Sequence, residues 1–154
     1  MPGYGILGPT QGRGLLPWAW AEERLTSSYR YWVGSVGPDG CPHAMPVWGV
    51  WHLGAFWFST GGRSRKARNL RADPRCVVHT DDAGEPVVIE GTAEAMREVG
   101  QLAAMLEHYA AKYPMPPPDA DENPIFRVAP RWAFAVIEAG EEFAGSATRW
   151  DFAD

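Results

Sequence analysis

The sequence predicts a mainly β protein whose antiparallel strands curl into a closed or nearly closed barrel. Two observations carry this. Short runs rich in aromatic and β-branched residues recur at close spacing, punctuated by glycine, proline and aspartate turns. Helical periodicity, by contrast, is confined to a few segments. A chain of 154 residues is long enough for one domain with a real core, and no internal repeat or second domain is visible.

Residues 1–16, with five glycines between Gly3 and Gly14, read as a flexible N-terminal arm, leaving 17–154 as a single domain. Pro17 suits the start of a helix from Trp18 to about Ser28. Strand-like Tyr31–Val36 follows, then the turn Gly37-Pro38-Asp39-Gly40, a second strand from about His43 to His52 and a third from Ala55 to Ser59. Ser64 is a good N-cap for a short helix that ends at Asp73-Pro74, because proline disfavours helical geometry in the residue before it. On that helix Arg65, Lys66 and Asn69 share one 100° arc, with Ala67 and Leu70 opposite, against the sheet. Two further strands, Arg75–Thr80 and Pro86–Ala95, flank the turn at 81–84. Val99, Leu102, Leu106, Tyr109 and Tyr113 then form one apolar helical stripe, ended by the prolines of 114–118. A last strand, Phe126–Ile137, alternates Trp132, Phe134 and Val136 with Ala133, Ala135 and Ile137.

Charge is distributed unevenly. Residues 63–75 hold Arg63, Arg65, Lys66, Arg68, Arg71 and Arg75 against Asp73 alone, so this segment is +5 in a chain of net charge −5. The acidic remainder argues against general nucleic-acid binding, which calls for a broad basic face. A glycine turn leading into a helix start flanked by Arg and Lys suits an anion, and a phosphate monoester above all. The alternative is a solvated basic helix paired with acidic neighbours. The Walker spacing of a P-loop is absent.

Cys41 and Cys76 lack metal-type spacing and read as reduced, inert thiols of a cytoplasmic protein. His43, His52, His79 and His108 form no metal-ligand pattern, and no nucleophile elbow is present. With no self-contained catalytic apparatus, any reaction depends on a bound cofactor. No apolar run approaches membrane-spanning length and the N-terminus lacks signal-peptide organisation, so neither membrane nor nucleic acid is an expected partner.

The ordered set Trp32-Val-Gly-Ser-Val, Pro38-Asp-Gly-Cys-Pro-His, Pro46-Val-Trp-Gly-Val-Trp, Phe58-Ser-Thr, Ser64-Arg-Lys-Ala-Arg-Asn-Leu, Asp73-Pro-Arg and Glu90-Gly-Thr-Ala resembles the pyridoxamine 5'-phosphate oxidase-like split β-barrel flavoproteins. The resemblance runs through residues 17–95, and Thr148-Arg-Trp-Asp-Phe152 is similar to the family's closing motif. It implies a six-stranded split barrel of the FMN-binding type, and a homodimer with a flavin-type cofactor at the subunit interface. It also implies that Ser59 and Thr60 end a strand beside the cofactor, that Ser64, Arg65 and Lys66 bind its phosphate, and that Asn69 supports them. Pro46, Val47, Trp48 and Gly49 would lie along the tricyclic ring, with Arg149 and Trp150 approaching from the partner subunit.

Two departures bear on activity. The vitamin B6 oxidases of the family place a cation at each end of the second-strand segment, where this chain has Met45 and Val50. Their C-terminal substrate-binding arginine and histidine pattern is also missing, which argues against oxidation of pyridoxamine phosphate. The Ser-Arg-Lys-Ala-Arg-Asn-Leu form and the Thr-Arg-Trp ending are more similar to the branch that uses coenzyme F420, whose longer anionic tail would suit Arg63 and Arg68. The resemblance therefore implies hydride transfer from reduced F420 to an unsaturated or conjugated small molecule. FMN in place of F420 is one alternative, and a non-catalytic flavin or F420 carrier or sensor is another.

Overall fold

The computed structural model describes residues 15–152. The expected arm lies outside the described residues up to position 14; Leu16 is buried and its N–H donates to Thr148 Oγ1 at 2.9 Å. After Pro17 comes helix α1 (Trp18–Ser27), then strands β1 (Tyr31–Val36), β2 (Pro42–Val47), β3 (Gly49–His52) and β4 (Ala55–Ser59). Helix α2 (Arg65–Ala72) leads to β5 (Arg75–Thr80) and β6 (Val87–Ala95), and helix α3 (Val99–Lys112) to β7 (Ile125–Ala135). A 3-10 turn, the short helix α4 (Phe143–Ser146) and β8 (Thr148–Asp151) complete the described chain.

All neighbouring strands are antiparallel, in the order β2-β1-β5-β6-β7-β4-β3, with β8 also on β7. The two ends of that path, β2 and β3, are consecutive halves of one segment interrupted only at Trp48. Counted as one bent strand, they close a six-membered ring. The six strands expected become eight because this strand breaks as it changes partner from β1 to β4, and because residues 148–151 add a strand of their own.

Two apolar clusters hold the barrel. The larger fills the interior with Tyr31, Val33, Phe56, Phe58, Val78, Ile89, Phe126 and Val128, and takes Ala21 and Leu25 from α1. The smaller joins Val50, Ala55, Trp57 and Ile125 to Met105, Tyr109 and Tyr113 of α3 and its C-cap. The apolar run of β4 follows from this division. Phe56 and Phe58 point inward while Ala55 and Trp57 lie beneath α3, so both faces of the strand are covered.

Three details refine or depart from the expectation. The α3 stripe does not begin at Val99, which is 79% exposed; Met105 is the fully buried anchor, and Glu98 caps the helix by accepting from Gly100 N and Gln101 N. In β7 the alanines turn inward: Ala133 and Ala135 are fully buried, while Trp132 and Phe134 are half-buried on the other face. Ala133 and Ala135 join the core cluster that also takes Ala21 and Leu25 of α1, where the large side chains of the other strands already fill the space. In α2, Lys66 and Asn69 are buried with Ala67 and Leu70, leaving Arg65 and Arg68 exposed.

Candidate functional site

The site grows from the end of β4. Ser59 Oγ donates to Asn123 O at 3.2 Å and Thr60 N to Pro124 O at 3.3 Å, so the glycine turn is fastened to the segment that follows the proline run. Ser64 is the N-cap of α2: its Oγ accepts from Ala67 N at 3.1 Å and lies 3.1 Å from Thr60 Oγ1. Among the described residues the N–H groups of Arg65 and Lys66 carry no hydrogen bond, as expected for the first turn of a helix. A cavity of about 500 Å³ opens beside them, lined by Gly61, Gly62, Arg63, Ser64, Glu122 and Asn123.

The basic residues around this cavity divide into two groups. Arg68 Nη1 donates to Arg63 O and Arg71 Nη1 to Gly62 O, both at 2.6 Å, so these guanidinium groups brace the turn itself. Arg63, Arg65 and Lys66 make no such bond among the described residues. The ion pairs formed by described residues belong to Arg24, Arg75 and Arg149; none reaches a cation from 63 to 71. A basic helix neutralised by acidic neighbours is therefore not what forms. Asp39 feels Arg65, although the Cys41 hydrogen bonds do more to hold its carboxyl below the usual range.

Lys66 is the unusual member. It is only 7% exposed and the nearest compensation for its charge is the face of Phe58, 5.8 Å from Nζ. Burial pulls its pKa below the ordinary lysine value. Asn69, 2% exposed, donates from Nδ2 to Ser35 Oγ at 3.2 Å and ties α2 to β1. Its visible work is to place the helix.

The second part of the site is the strand break. Gly49 pairs with Phe58, which sets Trp48 beside Ser59 at the edge of the glycine turn. A Cβ on Gly49 would stand 2.3 Å from Phe56 Cζ and 2.6 Å from Trp57 O, so only glycine allows this approach. Tyr113 Oη lies 3.0 Å from Gly49 N and 2.8 Å from Gly49 O, accepting from the first and donating to the second. Lys112 Nζ adds bonds to Gly49 O, Thr26 O and Tyr31 Oη, and burial lowers its pKa to about 8. Sequence reasoning missed both residues as site supports. Tyr113 counted only as part of an apolar stripe, and the signal that marked it was its polar tip on a buried ring.

Met45 is 47% exposed and Val50 is buried beneath α3, so neither end of the segment supplies a cation. Arg149 and Trp150 stand elsewhere in the same chain. Ser59 pairs with Ile125 and Arg149 with Phe134, positions nine residues apart on β7. At ~3.3 Å per residue that is about 30 Å of strand, beyond the reach of either side chain. There Trp150 packs on Trp18 at 5.4 Å, and Arg149 pairs with Asp151 and covers Trp132.

Comparison with known proteins agrees with this architecture. The family described as pyridoxamine 5'-phosphate oxidase matches residues 19–137. A conserved hypothetical protein of Mycobacterium tuberculosis is similar at 26% identity and a TM-score of 0.70, over 81% of this chain and 88% of that one. An F420 reductase is similar at 22% identity and a TM-score of 0.56, over 71% of this chain and 91% of that one. An FAD-binding protein of Mesorhizobium loti is similar at 18% identity and a TM-score of 0.63, over 77% of this chain and 92% of that one. No curated protein matches in sequence.

Proposed function

Since the chain belongs to the pyridoxamine 5'-phosphate oxidase family, which is one of oxidoreductases in general, we propose that it is a homodimeric oxidoreductase dependent on coenzyme F420. The observation that carries the anion site is Lys66, a buried ammonium with no counter-charge among the described residues, beside two free helix N–H groups and the exposed Arg65. Burying a charge is costly unless a partner arrives, and a phosphate at this helix start is such a partner. Thr60 and Ser64 offer hydroxyl donors at the same place.

Beyond the phosphate, the 500 Å³ cavity with Arg63 on its wall suits a longer anionic tail. Arg68, bound to the turn, serves it only indirectly. Pro46 to Gly49 would line the ring system, held by Tyr113 and Lys112, and Arg149 and Trp150 would come from the partner subunit. When bound and reduced, the deazaflavin would supply a hydride from C5 to an unsaturated or conjugated acceptor. The protein's own part is to bind the anion, fix two π systems at reacting distance and exclude water. The absence of cations at Met45 and Val50 and the name of the F420 reductase of similar fold favour F420 over FMN.

Titration of the purified apoprotein with F420 and FMN, followed by oxidation of the reduced complex with quinones, enones and tetrapyrroles, tests the reading. Tight F420 binding with turnover of at least one acceptor class is expected. Tight FMN and undetectable F420 binding overturns the cofactor assignment, and binding without any turnover overturns the enzyme in favour of a carrier.

A further inference from the structure

Trp48 is 39% exposed, an unusual position for an indole, yet nothing about it is loose. Its ring stacks on Tyr113 at 5.6 Å and 24°, and the Gly49 peptide that follows it is gripped on both its N–H and C=O sides by Tyr113 and Lys112. An exposed aromatic face fixed this firmly is a preorganised platform, which lowers the ordering cost of binding a flat molecule. A cavity of about 280 Å³ lies against it, lined by Arg30, Pro46, Val47 and Trp48.

The chemistry of the walls is one-sided. Pro46, Val47 and Trp48 are apolar, and Arg30 is the single charged group among the lining residues. Arg30 is exposed, forms no ion pair among the described residues, and its guanidinium lies 5.6 Å over the ring of Tyr29. Tyr29 in turn meets Tyr113 edge-on at 5.0 Å, so cation and indole platform share one aromatic support. A cation held beside a flat apolar wall selects for a planar ligand carrying a negative group.

We propose that the Arg30–Trp48 cleft binds a small planar anion, an aromatic or conjugated carboxylate, stacked on Trp48 with its carboxylate on Arg30. The cleft shares Pro46, Val47 and Trp48 with the strand that the proposed cofactor ring would follow, so a ligand stacked on the outer face of Trp48 would lie against that ring as the hydride acceptor. Its role as substrate rests on the oxidoreductase reading; its binding does not.

The test is equilibrium dialysis of the full-length protein against three naphthalenes of matched shape: 2-naphthoate, neutral 2-naphthylmethanol and cationic 2-naphthylmethylamine. Wild-type protein should prefer the naphthoate to the alcohol by about tenfold, as one charge-assisted pair allows, and should reject the amine. Arg30→Met, at an exposed position, should erase the preference while keeping the alcohol affinity, and Trp48→Ala should weaken naphthoate and alcohol together. Equal binding of the three probes, no binding of any, or an unchanged preference in Arg30→Met overturns the proposal. F420 titration of the same samples separates the two readings. Naphthoate preference without F420 binding overturns the F420 assignment alone, and F420 binding without a naphthoate preference overturns the planar-anion cleft alone.

Discussion

Replacing Lys66 by methionine should move stability and cofactor affinity in opposite directions. In the apoprotein Lys66 is only 7% exposed, with only the Phe58 face at 5.8 Å from Nζ to offset the desolvation of its charge. A cation–π contact at that distance contributes on the order of 1 kcal/mol, less than the several kcal/mol that burying an ion costs. Methionine fills the same channel without charge, so the apoprotein should gain about 1 kcal/mol and melt about 2–4 °C higher. The bound phosphate loses a charge-assisted hydrogen bond of about 1.5–3 kcal/mol, so F420 affinity should fall about 10- to 150-fold.

The pH dependence of this variant follows from the same site. Burial lowers the pKa of Lys66, so native apoprotein releases this proton before the unfolded chain does. Its contribution to stability therefore rises with pH from the depressed value up to the ordinary lysine pKa of 10.5. A bound anion holds the ammonium charged, so wild-type affinity should weaken as pH passes the depressed pKa, and Lys66→Met should remove that part of the slope. Differential scanning fluorimetry of apoprotein and fluorescence titration with F420 read the two quantities independently. A destabilised Lys66→Met that binds F420 with wild-type affinity would refute the argument, because Lys66 would then serve the fold and not the ligand. Arg65→Ala should weaken binding without the gain in stability, since Arg65 is already exposed.

Two further predictions concern the frame. Between pH 8 and pH 10, burial of Lys112 should make wild-type stability to urea increase with pH, because its folded pKa is about 8 against 10.5 when free; Lys112→Met should flatten this rise. Above pH 10 the trend should reverse, since burial raises the pKa of Tyr31 and of Tyr113 and ionisation then favours the unfolded chain. At the β6–β7 irregularity a Cβ on Gly91 would stand 2.1 Å from Ala129 O, so Gly91→Ala should cost about 1–3 kcal/mol or more in urea unfolding at constant m-value.

The elements that could be read from sequence are those specified by neighbours. Turn residues at 37–40 and 53–54, the Ser64 cap and the Asp73-Pro74 stop act within a few positions, and the structure places β1, β4, α2 and β5 at or within a residue of the predicted limits. The turn and cap on which the phosphate proposal rests were legible for the same reason: Ser59 to Asn69 is one continuous stretch. What remained hidden depends on residues brought together from afar. Tyr113 meets Gly49 across 64 positions, and Asn123 meets Ser59 across the same separation. The inward turn of Ala133 and Ala135 depends on which face of β7 meets the core built by the other strands and by Ala21 and Leu25 of α1. Polarity also misled, since Lys66 and Asn69 share the inner flank of α2 with Leu70; a helix seated on a sheet buries about half its circumference whatever the side chains there carry.

The break at Trp48 links the fold to the site through one cause. Residues 42–47 pair with β1 and 49–52 with β4, so the barrel closes only because the strand changes partner at this residue. Changing partner takes Trp48 out of both ladders and leaves its side chain facing solvent, between the buried Val47 and Gly49. The adjoining Gly49 peptide then needs other hydrogen-bond partners, and Tyr113 and Lys112 from the end of α3 provide them. The feature that closes the sheet therefore also produces an exposed indole on a rigid support next to the turn proposed to bind the anion. A site built this way inherits its rigidity from the barrel, so its geometry should survive changes on the exposed face of α3 and fail with changes at Gly49 or Tyr113.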